Sequence, residues 1–266
     1  MTNLATRVIT AIVLIAVIIV AMFVLPPPAA SILFGGFFVV AVWEWSGFFS
    51  KNALPFRLAY VLLFFALTAI PFVIPASEAE LPKVLYAAIF YWLLVWLAFA
   101  LKVRIKGTGW TMLAGLFALL PAWYSITLLL KMNDGYQLFL ACVMIVAAAD
   151  IGAYFTGKTF GKRKLAPTIS PGKTWEGFFG GMISAALIMV AVSVYFDAFH
   201  IGLALLGFFI AGASVLGDLW VSSFKRMAGL KDSGKILPGH GGVLDRVDGL
   251  IAALPLFTVT FAAGGF

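Results

Sequence analysis

The chain has 266 residues, of which 63% are hydrophobic and only 11% are charged, and its mean hydropathy is +1.09. A soluble core cannot absorb repeated apolar runs of about 20 residues, so the composition excludes a soluble protein and predicts an all-α polytopic membrane protein. The net charge of +7 could suggest a nucleic-acid partner, but the basic residues are dispersed over short segments, which argues against one. The single cysteine, Cys142, predicts no disulfide framework.

Nine apolar runs follow one another along the chain, and each is close to the ~20 residues that a membrane-spanning helix needs. The first has a basic flank at Arg7 and ends in three prolines without a cleavage site of small residues, so we expect it to be retained as a helix. The runs cover residues 8–25, 30–49, 57–75, 84–101, 109–130, 136–156, 175–196, 201–221 and 247–263.

Nine crossings place alternate loops on opposite sides of the membrane. All 18 basic residues except Lys83 and Lys131 then fall on one side, which the positive-inside rule identifies as cytoplasmic. We therefore predict a cytoplasmic N-terminus and a periplasmic C-terminus in a single membrane unit, residues 1–266. Residues 1–135 are expected to form mainly scaffold helices, and residues 136–266 the catalytic half.

Acidic residues at or near helix ends are concentrated in the second half, where they are Asp150, Glu176, Asp218 and Asp248. Asp150 leaves two interpretations open, a place near a metal site or an ion pair with a lysine of the following loop. Glu44 is the single intramembrane acid of the first half, and we expect it to form a structural hydrogen bond between helices.

The first of two long polar segments contains Ser170-Pro-Gly-Lys-Thr-Trp-Glu-Gly177. Its Gly-Lys-Thr ending is similar to a P-loop, but Pro167 stands where the first glycine is required and no strand is predicted before it. Thr174 is instead expected to cap a helix whose free N–H groups, with Lys173, attract a phosphate. The alternative is a plain cap beside a lysine that only sets the orientation in the membrane.

The second polar segment, residues 222–248, carries the densest charge in the chain. Asp245 and Asp248 are three residues apart, so both carboxylates project from one face of a helix beginning near Leu244. Asp218 closes the preceding apolar run, and the three acids can converge at the cytoplasmic mouth. Oxygen ligands favour Mg²⁺, and a solitary His240 cannot complete a zinc site.

Glycines separate the charges of this segment, at Gly239, Gly241 and Gly242. Such backbone can adopt positive φ angles and approach a ligand closely. The alternative is a solvated loop in which basic and acidic side chains simply pair. A salt-bridged loop does not require the glycines, so they favour phosphate binding.

The ordered positions from Ser222-x-Phe-Lys-Arg226 through Lys231-Asp-x-Gly234 to Leu237-Pro-x-His-Gly-Gly-Val-x-Asp-Arg-Val-Asp248 resemble the signature of the phosphatidate cytidylyltransferase (CDP-diacylglycerol synthase) family. Residues 170–177 resemble its second recurrent segment. The resemblance implies that CTP and phosphatidic acid give CDP-diacylglycerol and pyrophosphate. It also implies Mg²⁺, with a second, monovalent cation such as K⁺ beside it, and a homodimer in the bacterial inner membrane.

Three sets of site residues are predicted on these grounds. The metal ligands are Asp218, Asp245 and Asp248. The catalytic residues are Lys225, Arg226, His240, Asp245 and Arg246. The substrate-binding residues are Ser170, Lys173, Thr174, Ser222, Ser223, Lys231, Asp232, Gly241 and Gly242.

Two other functions compete with this one. A CTP-dependent lipid kinase acting on a polyprenol would use related phosphate chemistry but would need a general base for a neutral hydroxyl. A cation or proton transporter would use the intramembrane acids Glu44, Asp150 and Asp218. That function requires acids near the bilayer midplane, whereas most acids here are near helix ends.

Overall fold

The computed structural model describes residues 3–50, 53–73, 81–103, 106–196, 200–239 and 241–262. Each of the nine predicted apolar runs coincides with one long helix, and a single helical turn precedes the last. The helices are α1 (Asn3–Val24), α2 (Pro27–Ser46), α3 (Leu54–Val73), α4 (Leu81–Ala100), α5 (Thr108–Leu129), α6 (Gly135–Phe160), α7 (Trp175–Tyr195), α8 (Ile201–Met227), α9 (Leu244–Val247) and α10 (Leu250–Ala262).

Six of the described helices are long and apolar enough to cross a membrane, namely α2, α4, α5, α6, α7 and α8. Large apolar side chains on these helices face outward, among them Phe90, Leu187 and Phe209, which are each about 60% exposed or more. Such a surface is stable against lipid and not against water. The protein is therefore a polytopic, predominantly helical membrane protein, as predicted.

Two short strands interrupt the helical pattern between α6 and α7. Strand β1 (Lys164–Ala166) pairs antiparallel with β2 (Ser170–Thr174), with Lys164 opposite Thr174. The expectation that no strand precedes the Gly-Lys-Thr sequence is therefore wrong. A strand of three residues is too short to show the alternation of polar and apolar residues by which strands are predicted.

Helix α8 is longer than its apolar run, because it continues to Met227. The first residues of the second polar segment, 222–227, are therefore helical. Lys225 and Arg226 lie in the last turn of the helix, where cations interact favourably with the negative end of the helix dipole. The start of α9 at Leu244 agrees with the prediction.

Helix α10 occupies the middle of the helical assembly. It packs against α4, α5, α6 and α8, and its residues Ile251, Ala253, Leu254 and Phe257 are fully buried. Helices α6, α7 and α8 pack side by side. Two of the polar connections, α6 to α7 and α8 to α9, therefore emerge from one closely packed group.

Aromatic side chains join α2 to this group. Trp45 stacks on Trp220 of α8, with ring centroids 4.7 Å apart, and its indole N–H donates to the carbonyl oxygen of Thr111 at 2.9 Å. Phe224 packs against both rings. Because Trp45 is fully buried, the end of α2 is held firmly beside the end of α8.

Candidate active site

The two polar segments, predicted separately, meet beside α8. Lys173 of β2 forms an ion pair with Asp218 of α8. Arg226, at the end of α8, donates from Nε to the carbonyl oxygen of Ile169 and from Nη1 to that of Leu230, both at 3.1 Å. These contacts join the β hairpin and the charged loop into one candidate site.

Asp218 and Asp248 lie close together because Gly217 lets α8 approach the backbone of residue 248. A Cβ atom at Gly217 would overlap the carbonyl oxygen of Asp248. Asp218 accepts a hydrogen bond from Ser222 Oγ at 3.1 Å. The Asp248 carboxyl group is repelled by the neighbouring Asp218 carboxylate. This mutual repulsion makes the pair of carboxylates a favourable place for a cation.

Asp245 has different partners. Its Oδ1 accepts from Lys225 Nζ at 2.8 Å, and its Oδ2 accepts from the main-chain N–H groups of Ser233 at 2.9 Å and Gly242 at 3.0 Å. Burial alone would raise the pKa of Asp245, but the Lys225 ammonium and the two N–H donors outweigh burial and lower it. Asp245 is therefore an ionised carboxylate, and it binds Lys225 and the main chain on both sides of the glycine turn, at Ser233 and at Gly242.

The predicted three-acid metal centre stays a prediction. Within the described ranges, no three His, Cys, Asp or Glu side chains are close enough to hold one ion between them. Asp218 and Asp248 approach each other, whereas Asp245 is engaged by Lys225. A cation at this site would therefore need oxygen ligands from a substrate or water as well.

The glycine-rich turn has the predicted backbone. Gly239 and Gly241 have φ angles of +75° and +82°, and the N–H group of Leu237 donates to the carbonyl oxygen of Gly241 at 2.9 Å. His240, predicted to be catalytic, lies outside the described residues. The expectation of positive φ angles is confirmed at Gly239 and Gly241, and it is wrong at Gly242.

The cap predicted at Thr174 is also confirmed. Thr174 Oγ1 accepts from the N–H group of Gly177 at 3.1 Å, at the start of α7. The Glu176 carboxylate accepts from the main-chain N–H groups of Lys162 and Arg163, at 3.1 and 3.2 Å. These bonds fix the entry and exit of the β hairpin, and so the position of Lys173 beside Asp218.

The remaining predicted residues surround this cluster in different environments. Ser222 is buried, and Ser223 donates to the carbonyl oxygen of Trp220 in its own helix at 2.7 Å. Asp150 of α6 interacts electrostatically with Lys173 and Asp218, so it belongs to the cluster. The exposed members are Arg226, Lys231, Asp232 and Arg246, whereas Gly242 is buried and Gly241 is partly buried.

Glu44 is the residue whose role was least visible in the sequence. It forms structural hydrogen bonds, as expected, and its partners lie between residues 233 and 244 of the second polar segment. It accepts from Ser233 Oγ at 2.9 Å and from the main-chain N–H groups of Val243 and Leu244 at 3.1 and 2.8 Å. These partners are about 190 to 200 residues away in sequence, and no local pattern indicates them.

A groove of about 540 Å³ lies beside the β hairpin. Its lining combines exposed aromatic rings of α7 with basic side chains that follow α6. Such a combination is typical of the interface between lipid headgroups and water. The lining residues are Lys162, Arg163, Trp175, Glu176 and Phe179.

Comparison with known proteins identifies relatives, two of which match nearly the whole chain. Residues 5–263 match the model of the cytidylyltransferase family. The chain is 39% identical to a phosphatidate cytidylyltransferase of Pseudomonas aeruginosa, over 99% of this chain and 98% of that protein. It is 35% identical to a phosphatidate cytidylyltransferase of Haemophilus influenzae, over 96% and 97% of the two chains. With that of Staphylococcus haemolyticus the identity is 46%, over 48% of this chain and 50% of the relative.

Proposed function

This chain belongs to the cytidylyltransferase family, and on that premise we propose that it transfers the cytidylyl group of CTP to phosphatidic acid. The products are CDP-diacylglycerol and pyrophosphate. The observation that carries the proposal is similarity over nearly the full length to proteins named phosphatidate cytidylyltransferase. The joined cluster of acidic and basic side chains beside α8 is consistent with phosphate chemistry.

In the proposed reaction, a phosphate oxygen of phosphatidic acid attacks the α-phosphorus of CTP. A new P–O bond forms there, and the bond from the α-phosphorus to the oxygen that bridges it to the β-phosphorus breaks. The attacking oxygen is already anionic, so no strong general base is needed. The site has to align two anions and offset their charge.

The basic side chains are arranged to do this. Lys173 and Lys225 are held by Asp218 and Asp245, which keep their ammonium groups in fixed positions. Arg246 is exposed one residue after Asp245. In this proposal, these cations would contact the phosphates of CTP and of the lipid.

We propose Mg²⁺ at Asp218 and Asp248. Their oxygens are the hard ligands that Mg²⁺ prefers, and Mg²⁺ commonly uses one or two carboxylates together with substrate phosphates and water. When bound, it would offset negative charge on the phosphate oxygens during transfer. The same proposal includes direct ligation of Mg²⁺ by Asp245. It also includes a second, monovalent cation such as K⁺.

We further propose nine membrane crossings, a cytoplasmic N-terminus, a periplasmic C-terminus and a site that faces the cytoplasm of the bacterial inner membrane. The distribution of basic residues supports this orientation. Residues 136–266 would supply the catalytic groups, and residues 1–135 would mainly form the scaffold. Two copies of the chain would form a homodimer. In this proposal, the lipid would approach the site laterally, along the groove beside the hairpin.

Two labels on CTP test the reaction. Purified protein is incubated with phosphatidic acid, Mg²⁺ and CTP that carries ³H in the cytosine and ³²P in the γ-phosphate. We expect ³H in the lipid fraction and ³²P in pyrophosphate, and neither transfer when EDTA is present. Incorporation of ³²P into a lipid alcohol, with ³H in CDP, would instead identify a lipid kinase.

A further inference from the structure

Glu44 is set apart from the other acids by its position and its burial. It lies on α2, in the half of the chain predicted to be scaffold, and is only 3% exposed. Both carboxylate oxygens are occupied: Oε1 accepts from the N–H of Val243, and Oε2 accepts from Ser233 Oγ and the N–H of Leu244. An apolar side chain cannot replace a buried carboxylate with three donors without cost, because the donors would be left unsatisfied.

The donors come from both arms of one loop. Ser233 precedes the tight turn at 237–241, whereas Val243 and Leu244 follow it. The two arms can close on the carboxylate only because side chains are absent at two positions. A Cβ atom at Gly234 or at Gly242 would overlap an oxygen of Glu44. Glu44 therefore ties the two arms together.

The same arms hold the ion pair between Lys225 and Asp245, which are both predicted to be catalytic residues. Asp245 Oδ2 accepts from the N–H groups of Ser233 and Gly242, while Oδ1 accepts from Lys225 Nζ. Glu44 and Asp245 thus bind neighbouring donors of both arms. A shift of one arm would move Asp245 and, with it, the ammonium group of Lys225.

Helix α2 is a rigid support for this role. The residue after Glu44 is Trp45, which is fully buried, stacks on Trp220 and donates to the carbonyl oxygen of Thr111. Ser46 Oγ accepts from Arg57 Nε at 2.9 Å. The carboxylate is therefore placed by contacts that do not involve the loop itself.

We propose that Glu44 is a positioning residue for cytidylyl transfer. It acts through the loop of residues 233–245, which it holds so that Asp245 and Lys225 face the phosphates. The proposal rests on the proposed function. It means that a residue of α2, in the half of the chain predicted to be scaffold, controls the geometry of the catalytic residues. Glu44 itself contacts neither substrate.

Glu44→Gln is the test, since it keeps the size of the side chain. Whichever way the amide is turned, its NH₂ group faces the N–H of Val243 or that of Leu244. We expect kcat to fall about 10- to 100-fold, because small displacements of catalytic groups have effects of this size, with KM for CTP and phosphatidic acid changing less. Hydrogen–deuterium exchange should accelerate in peptides covering residues 230–244 and not in α5 or α10.

Gly36→Ala is the matched control on the same helix. A Cβ atom at this position meets nothing within 4 Å, so kcat and loop exchange should stay at the values of the unchanged protein. The proposal is overturned if Glu44→Gln keeps its kcat, if kcat falls without faster exchange in the loop, or if exchange rises equally throughout the chain. Absence of transfer by the unchanged protein would overturn the proposed function, and the exchange comparison would then decide only whether Glu44 holds the loop.

Discussion

At the scale of single residues, the site depends on which carboxylate each cation contacts. Lys225 and Asp245 form a buried pair, 9% and 7% exposed, whereas Lys173 and Asp218 are about a quarter exposed. A buried charge that loses its partner is strongly destabilising. The first pair should therefore affect folding more than the second.

A double-mutant cycle with Lys225→Met and Asp245→Asn tests this. Each single change should lower the free energy of unfolding by about 3 kcal/mol, and the double change by less than the sum, with coupling of about 1–3 kcal/mol. The free energies can be measured by denaturant titration in mixed micelles. If the two effects on the free energy of unfolding were strictly additive, Lys225 and Asp245 would not interact as a pair.

The pH dependence of this coupling follows from the lowered pKa of Asp245. A carboxyl group whose pKa is lower in the folded state stabilises the protein above its unfolded pKa, which is about 3.9, and loses this effect as the pH falls through the folded pKa. The coupling should therefore be equal at pH 6 and pH 8. A decline in the coupling energy between these two pH values would contradict the ionised state assigned to Asp245.

At the scale of elements, the β hairpin connects α6 to α7 and carries Lys173 to Asp218. Its position depends on the cap at Thr174, which is buried, and on the bonds from Lys162 and Arg163 to Glu176. The cap could be predicted because a threonine before a helical run is a local pattern. The strands could not be predicted, because such short strands form by pairing with each other. The composition of three residues does not indicate that pairing.

Thr174→Val tests the cap. Loss of the acceptor for the N–H of Gly177 should lower the free energy of unfolding by about 1 kcal/mol and raise KM for CTP, because Lys173 is displaced. Thr127→Val is the control, since the Thr127 hydroxyl donates only to Tyr124 of its own helix at 2.8 Å. Equal effects of the two substitutions in a thermal unfolding assay would argue against a capping role.

At the scale of the whole molecule, large apolar side chains cover much of the outer surface of the helices. Hydropathy predicted each long helix, because a bilayer requires about 20 apolar residues regardless of what they contact. The distribution of basic residues adds an orientation. That orientation can be tested without any knowledge of the reaction.

Cysteine labelling provides the test. The buried Cys142 is replaced by alanine, and a single cysteine is introduced at Lys106, between α4 and α5, or at Lys131, between α5 and α6. A membrane-impermeant maleimide should label the Lys131→Cys variant in intact cells and the Lys106→Cys variant only after the inner membrane is opened. Labelling of the Lys106→Cys variant in intact cells would contradict the proposed topology.

The long helices, the cap at Thr174, the positive φ angles of Gly239 and Gly241 and the family could all be predicted from the sequence, because each depends on local composition or on an ordered motif. The approach of Asp218 to Asp248, the pairing of Asp245 with Lys225 and the binding of Glu44 to the segment of residues 233–244 are visible only in the folded structure. These contacts join groups up to about 200 residues apart. They arise from helix packing and from glycines that admit close approach, which no local pattern encodes.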